Sequence, residues 1–223
     1  MKMYNKIIVI IPAFNEDATI EEVIGSVKPY ANEIIVVDDG SSDSTSLKAK
    51  EAGAVVVRNE KNSGYESAIE SGFKKALQGG ADVFVTFDAD GQHNAEDIKK
   101  MADLIINGKA DLVLGQRPRR FVHFSERIFA FYTNMRFGIK DPLCGLKAYS
   151  VKVYQDVGYF DRIGSIGTQL MIQAKMRNFK LLTIPVYVNP RKDSSRFYFK
   201  NLKANYKIFL ALLKTILYSA KLV

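Results

Sequence analysis

The sequence predicts an α/β fold, a mostly parallel sheet flanked by helices. Three observations carry this. Short runs rich in Val and Ile recur along the chain, amphipathic stretches separate most of them, and the apolar runs are continuous where a half-exposed strand would alternate. A strand that is apolar at successive positions is buried on both faces, as in parallel sheets wrapped by helices.

The elements follow in order. "KIIVII" reads as the first strand, and "NEDATIEEVIGSV" as a helix with acids in its first turn. "EIIVVD" is the second strand; "SSDSTSLKAKEAG" is a helix with a cap-rich start and a glycine at its close. "AVVVRN" and "DVFVTFD" are the third and fourth strands, and "HNAEDIKKMADLIINGK" a further capped helix. "DLVLGQ" and "LLTIPVYV" complete the expected strands. There is no internal repeat or low-complexity tract, and the one composition break falls near "RKDSSRFYFK". Residues 1–198 are therefore read as one folded unit and residues 199–223 as a C-terminal basic amphipathic helix.

Bulk properties narrow the partners. At 223 residues and 47% apolar content the chain supports one substantial core. The apolar run after "MKMYNK" is too short for a signal peptide, and no uncharged run approaches the roughly 20 residues of a membrane span. An intracellular protein is expected. The single cysteine, Cys144, is expected to pack in the core. Charge divides sharply: residues 1–103 hold 11 Lys/Arg against 18 Asp/Glu, and residues 104–223 hold 21 against 6. An acidic first half suits a divalent cation, and a basic second half suits phosphate, nucleic acid or an anionic membrane.

In open α/β sheets ligands bind beyond the carboxyl ends of the strands. Those ends read "PAFNE", "DDGSSD", "NEKNSG" and "DADGQH", a gathering of polar and acidic residues. GxGxxG is missing after the first strand and GxxxxGK[ST] is missing throughout, which disfavours dinucleotide and P-loop chemistry. Residues two apart on a strand share a face, so Asp88 and Asp90 are expected to present both carboxylates to one spot with Ala89 turned aside. Two such anions fit a hard divalent cation, Mg2+ or Mn2+, with help from the Gln92 carbonyl and open positions for phosphate oxygens.

The ordered set "IPAFNE", "VVDDGSSD", "NSGYESAIESGFKKA", "FDADGQH", "DLVLGQR" and "DPLCGLKAY" resembles the family 2 glycosyltransferases of GT-A fold. It looks most like their dolichyl-phosphate mannose and polyprenyl-phosphate glucose synthase branch. The resemblance runs from about residue 6 to residue 196 and makes residues 1–198 the catalytic domain. It implies a metal-dependent transfer of a sugar from a nucleotide donor, with inversion, to a polyprenyl or dolichyl phosphate. Pro12, Ala13, Asn15 and Glu16 match the first nucleotide-contacting loop. Asp39 matches the acid that contacts the nucleoside, and Asn62 and Gly64 the loop closing over it. Asp88, Ala89, Asp90 and Gln92 match the metal and diphosphate site.

In the basic half, Arg117 and Arg127 match phosphate-holding arginines, and Arg191 and Arg196 match an "R-x-x-G-x-S-K" element. Guanidinium forks suit phosphate oxygens. Departures from the pattern are Gln169 where a glutamate is common, Thr183 in "TIP", Ser194 for the glycine and Arg196 for the lysine. A hydroxyl acceptor needs a base, whereas a phosphate monoester, with a second pKa of about 6, is already ionised. Gln169 therefore favours a phosphate acceptor, and Asp141 is kept as a base or as a residue orienting the acceptor loop. In the tail, Lys200, Lys207, Lys214 and Lys221 recur every seven residues beside Lys203, with Leu202, Phe209, Leu213, Ile216 and Ala220 on the other side. Such a helix either lies in an anionic membrane interface or caps a core. Peripheral attachment to the cytoplasmic face of a membrane, directly or through a partner, is expected. The alternatives are a family 2 transferase acting on a hydroxyl and, from another class, a basic nucleic-acid-binding module; the acidic strand ends argue against nucleic acid as a partner.

Overall fold

The computed structural model describes residues 5–118, 123–189 and 201–221. Seven strands form one sheet: β1 (Ile7–Ala13), β2 (Glu33–Asp38), β3 (Val55–Arg58), β4 (Val83–Thr86), β5 (Leu112–Gln116), β6 (Lys147–Ser150) and β7 (Leu181–Pro185), in spatial order β3-β2-β1-β4-β6-β5-β7. All neighbours run parallel except β6, which is antiparallel to β4 and β5. The helices are α1 (Ile20–Val27), α2 (Thr45–Glu51), α3 (Tyr65–Gln78), α4 (Glu96–Ile106), α5 (Phe124–Phe137), α6 (Val151–Val157), α7 (Thr168–Met176) and α8 (Asn201–Ala220).

Alternation on the strands divides the core into two layers. Val9, Ile11, Val36 and Val85 face Ile20, Val23 and Ile24 of α1 and Ile98 and Met101 of α4. Ile8, Ile10, Ile35, Val37 and Phe84 face Ile69 and Phe73 of α3, with Tyr154 of α6 and Leu170 of α7. Ile8 to Ile11 are wholly buried, which explains the unbroken apolar run; each such side chain contributes about 1.5–3 kcal/mol of transfer free energy. Gly72 lets α3 sit close, since a Cβ there would overlap the Ile10 side chain.

The six strands expected from sequence are present, with "LLTIPVYV" contributing Leu181–Pro185; β6, "KAYS", was not foreseen. From β1 the chain steps outward to β2 and β3, then returns across β1 to β4. That reversal opens a crevice between the carboxyl ends of β1 and β4. On the far side α8 packs on α5, with Ile208, Ala211 and Leu212 against Phe129. Tyr132 and Ser219 join hydroxyl to hydroxyl, and Ser125 Oγ donates to Asn205 Oδ1 at 2.8 Å.

Candidate active site

The crevice holds a cleft of about 360 Å3 walled by Pro12, Ala13, Phe14, Glu16, Asp39, Asn62, Gly64, Tyr65, Asp88, Ala89 and Asp90, with Lys207 of α8 at its edge. Its loops are tied to one another. The Asn15 N–H donates to Ser41 Oγ (2.9 Å), Asn15 Oδ1 accepts from the Ser42 N–H (2.8 Å), and the Glu16 N–H donates to Thr45 Oγ1 (2.8 Å). Asn15 reaches this position with φ of 54°, a left-handed conformation that asparagine tolerates. It braces the cleft from behind and is not part of its wall. Asp39 is buried and accepts from the N–H groups of Ser63 (3.0 Å to each oxygen) and Gly64 (2.8 Å) and from Asn59 Nδ2 (2.7 Å). A carboxylate has about four acceptor sites, so this one is spent on holding the third loop over the cleft.

Asp88 and Asp90 both face this cleft, but β4 ends at Thr86 and it is the following turn that brings them there. Ala89 is buried in the core layer beneath. Asp90 Oδ1 accepts the Gln92 N–H (3.1 Å), closing the turn. Gln92 itself is pinned to residue 189: its Nε2 donates to the Asn189 carbonyl (3.1 Å) and its carbonyl accepts the Asn189 N–H (2.8 Å). Gln92 therefore supports the turn from outside the cleft wall. Asp88 Oδ2 is 3.5 Å from His93 Nε2. Burial pushes the Asp88 carboxyl up, but the hydrogen bond and charge of His93, with the charges of Lys147 and Arg117, outweigh it and hold the group below the usual carboxylate range. The backbone of Gly145 lies against this carboxylate so closely that any Cβ would overlap it, and Thr86 Oγ1 fixes Gly145 by donating to its carbonyl at 2.7 Å. Among the described residues no three His, Cys, Asp or Glu side chains form a metal cage. What Asp88 and Asp90 offer is a pair of hard oxygen donors, which suits Mg2+ or Mn2+ completed by phosphate oxygens and water.

A second cavity, of about 750 Å3, lies under α5 and is lined by Gln116, Arg117, Phe124, Arg127, Ile128, Ala130, Phe131, Asn134, Lys140 and Asp141. Here Arg117 and Asp141 form a fork-to-fork pair: Nε donates to Oδ2 (2.9 Å) and Nη2 to Oδ1 (2.8 Å), while the Arg117 N–H also reaches Oδ2 (3.0 Å). Glu126 approaches the same guanidinium at 3.8 Å. Apolar side chains on successive turns of α5 form the outer wall, with Phe124 71% and Phe131 66% exposed.

The structure thus gathers Pro12, Ala13, Glu16, Asp39, Asn62, Gly64, Asp88, Ala89 and Asp90 around one cleft and Arg117, Arg127 and Asp141 around another. Arg191 and Arg196 lie outside the described residues, as do Arg119 and Arg120. Gln169 is buried and accepts the Arg162 N–H (2.6 Å), a structural use in α7. Lys207 was read only as part of the tail's lysine stripe, and Tyr65, Lys140, Gly145 and the buried Lys147 were missed by sequence reasoning. The last two sit inside "DPLCGLKAY", where the quoted motif was the available signal.

Residues 8–156 match the family described as Glycosyl transferase family 2. The chain belongs to that family. Among relatives of this transferase, the UDP-N-acetylglucosamine–dolichyl-phosphate N-acetylglucosaminyltransferase of Methanococcus voltae is 32% identical over 217 residues, covering 82% of this chain and 86% of that protein. The polyprenol monophosphomannose synthase of Mycolicibacterium smegmatis is 29% identical over 211 residues (83% and 78%). The dolichol-phosphate mannosyltransferase of Pyrococcus furiosus is 41% identical over 120 residues, half of this chain and 33% of that one. Glucosyl-3-phosphoglycerate synthase of Mycobacterium tuberculosis, solved with Mn2+, UDP-glucose and glycerol 3-phosphate, superposes with a TM-score of 0.70 at 23% identity, covering 95% of this chain and 80% of that one. The family 2 transferase therefore has the GT-A fold expected from its sequence.

Proposed function

We propose that this glycosyltransferase moves a sugar from a nucleoside-diphosphate donor, seated in the cleft over β1 and β4, to the phosphate of a polyprenyl or dolichyl phosphate seated under α5. The observation that carries the acceptor is the makeup of the second cavity. Arg117, Arg127 and Lys140 supply positive charge, Phe124, Ile128 and Phe131 supply an apolar flank, and the carboxylate lining it, Asp141, is already committed to Arg117. A carboxylate held in two charge-assisted hydrogen bonds is a poor proton acceptor. The cavity therefore suits an acceptor that needs no deprotonation, and its apolar flank suits a lipid chain. The relatives named for dolichyl or polyprenol phosphate chemistry support the same reading.

In the transfer an acceptor phosphate oxygen attacks the anomeric carbon, and the bond from that carbon to the diphosphate oxygen breaks. The electron pair leaves with the nucleoside diphosphate, and inversion results from a single displacement. Arg117, held at a fixed angle by Asp141, and Arg127 orient the phosphate. The loop held by Asp39 closes over the nucleotide. A divalent cation, Mg2+ or Mn2+, held by Asp88 and Asp90 would neutralise charge on the leaving group. Among the described residues no helix is long and apolar enough to cross a membrane. The acceptor would be met at the cytoplasmic face of a membrane, where exposed Phe131 and Met135 of α5 and Tyr206, Phe209, Leu213 and Leu217 of α8 offer apolar contact beside Lys207 and Lys214.

The test is a transfer screen across nucleotide-sugars with polyprenyl phosphate, polyprenol and no acceptor. An acid-labile, phosphate-linked product formed only with polyprenyl phosphate is expected. Equal transfer to polyprenol would overturn the reading.

A further inference from the structure

Lys147 opens β6 and is only 1% exposed, although it is a lysine in the middle of a sheet. It lies opposite Thr86 of β4 and Leu114 of β5, and alternation along β6 sends its side chain to the layer shared by Tyr149 and Leu114. Asp88, Asp141 and Arg117 are the ionised groups whose fields reach its ammonium. Asp88 belongs to the first cleft, Arg117 and Asp141 to the second cavity. Lys147 thus stands on the strand between β4, which leads into Asp88, and β5, which leads into Arg117.

Among the described residues the Lys147 ammonium has no direct counter-ion: no carboxylate comes within 4.0 Å of it, and no hydrogen bond takes it up. The nearby Cys144 thiol, which burial pushes up to about 12, is neutral and cannot serve. Asp141 is engaged by Arg117 and Asp88 by His93. Burial holds the Lys147 ammonium below the usual lysine range, and an anion arriving beside it would favour the charged form again.

We propose that Lys147 is a substrate-binding residue whose missing partner is a phosphate oxygen, delivered between the carboxyl ends of β4 and β5 when donor and acceptor are bound. The phosphate comes either from the nucleoside diphosphate or from the acceptor; the second source rests on the function proposed above, and the first does not. A compact ammonium suits one phosphate oxygen in a confined space, where the forked guanidinium of Arg117 suits the open cavity.

The test is Lys147→Met, close in shape and suited to burial, with Lys147→Gln as a second variant. Titration calorimetry with UDP and GDP in the presence of Mg2+ reads the donor arm without any acceptor. Steady-state transfer with varied farnesyl phosphate reads the acceptor arm. A melting temperature at or above that of the parent is expected, because an uncompensated buried charge has been removed. A nucleoside-diphosphate Kd weakened by about 10- to 100-fold identifies the donor as the source, and an unchanged Kd with a comparable rise in KM for farnesyl phosphate identifies the acceptor. Folded variants that keep both affinities, or the failure of both variants to fold, mark a lysine required by the core and overturn the proposal. Absence of transfer to polyprenyl phosphate by the unaltered enzyme would overturn the acceptor reading and leave the calorimetric arm standing.

Discussion

Arg117 and Asp141, separated by 24 residues in sequence, meet through two parallel hydrogen bonds of 2.9 and 2.8 Å. Asp141 is the acid that the motif leaves open as base or orienter, and this geometry favours the orienter. Asp141→Asn should therefore raise KM for the phosphate acceptor about 10- to 100-fold, the range of charge-assisted hydrogen bonds, and leave kcat within a few-fold. Nucleoside-diphosphate affinity should not change. Steady-state kinetics decide it: a collapse of kcat by several orders with KM unchanged would restore Asp141 as the base.

The Asp88 carboxylate rests on the backbone of Gly145, so this glycine shapes the corner proposed to hold the metal although it carries no side chain. Gly145→Ala should force Asp88 aside, and Asp90→Ala should remove the other carboxylate. Both variants should fold and lose about 100-fold or more in metal-dependent transfer, a Lewis acid on the leaving group being worth several kcal/mol. Circular dichroism and activity against Mn2+ concentration check this. Full turnover by a folded Asp90→Ala variant in metal-replete buffer contradicts the assignment.

The parts of this molecule that were legible in sequence are those where physics is local. Ile8 to Ile11 are buried on both faces, and the unbroken apolar run says so. Asp39, Asp88 and Asp90 stand at strand ends, where an α/β sheet collects ligands. β6 was not legible: four residues beginning with lysine have no period to detect, and they form a strand only because β4 and β5 flank them. The pairing of Arg117 with Asp141 is likewise a product of topology. In α8 the seven-residue lysine repeat is plain, but the buried side is Ile208, Ala211, Leu212, Thr215 and Ser219, two of them polar, and Lys207 turns toward the first cleft. The helix therefore both caps a core and keeps an exposed apolar face.

Asp39 gathers three donors from the Asn59–Gly64 segment, and its loss would leave them unpaired around a buried gap. Asp39→Ala should lower stability by about 2–3 kcal/mol and weaken nucleoside-diphosphate binding through a loosened loop. Differential scanning calorimetry reads the first effect and titration with UDP or GDP the second. If binding weakens with no change in melting temperature, Asp39 acts on the nucleoside directly and not as a tether.

Met135 of α5 and Leu217 of α8 are 73% and 66% exposed, and neither lines the first cleft or the second cavity. Placing either in a bilayer interface would contribute about 1.5–3 kcal/mol, so the double variant Met135→Glu with Leu217→Glu should lower partitioning into anionic vesicles by roughly a hundredfold or more. Since neither side chain lines either of the two cavities, transfer to farnesyl phosphate in solution should stay within about twofold. Vesicle flotation and a soluble transfer assay on the same preparation separate the effects. An unaltered protein that fails to float with anionic vesicles removes the direct membrane contact and leaves attachment to a partner protein, and equal losses in both assays would make α5 and α8 a structural support of the cavity.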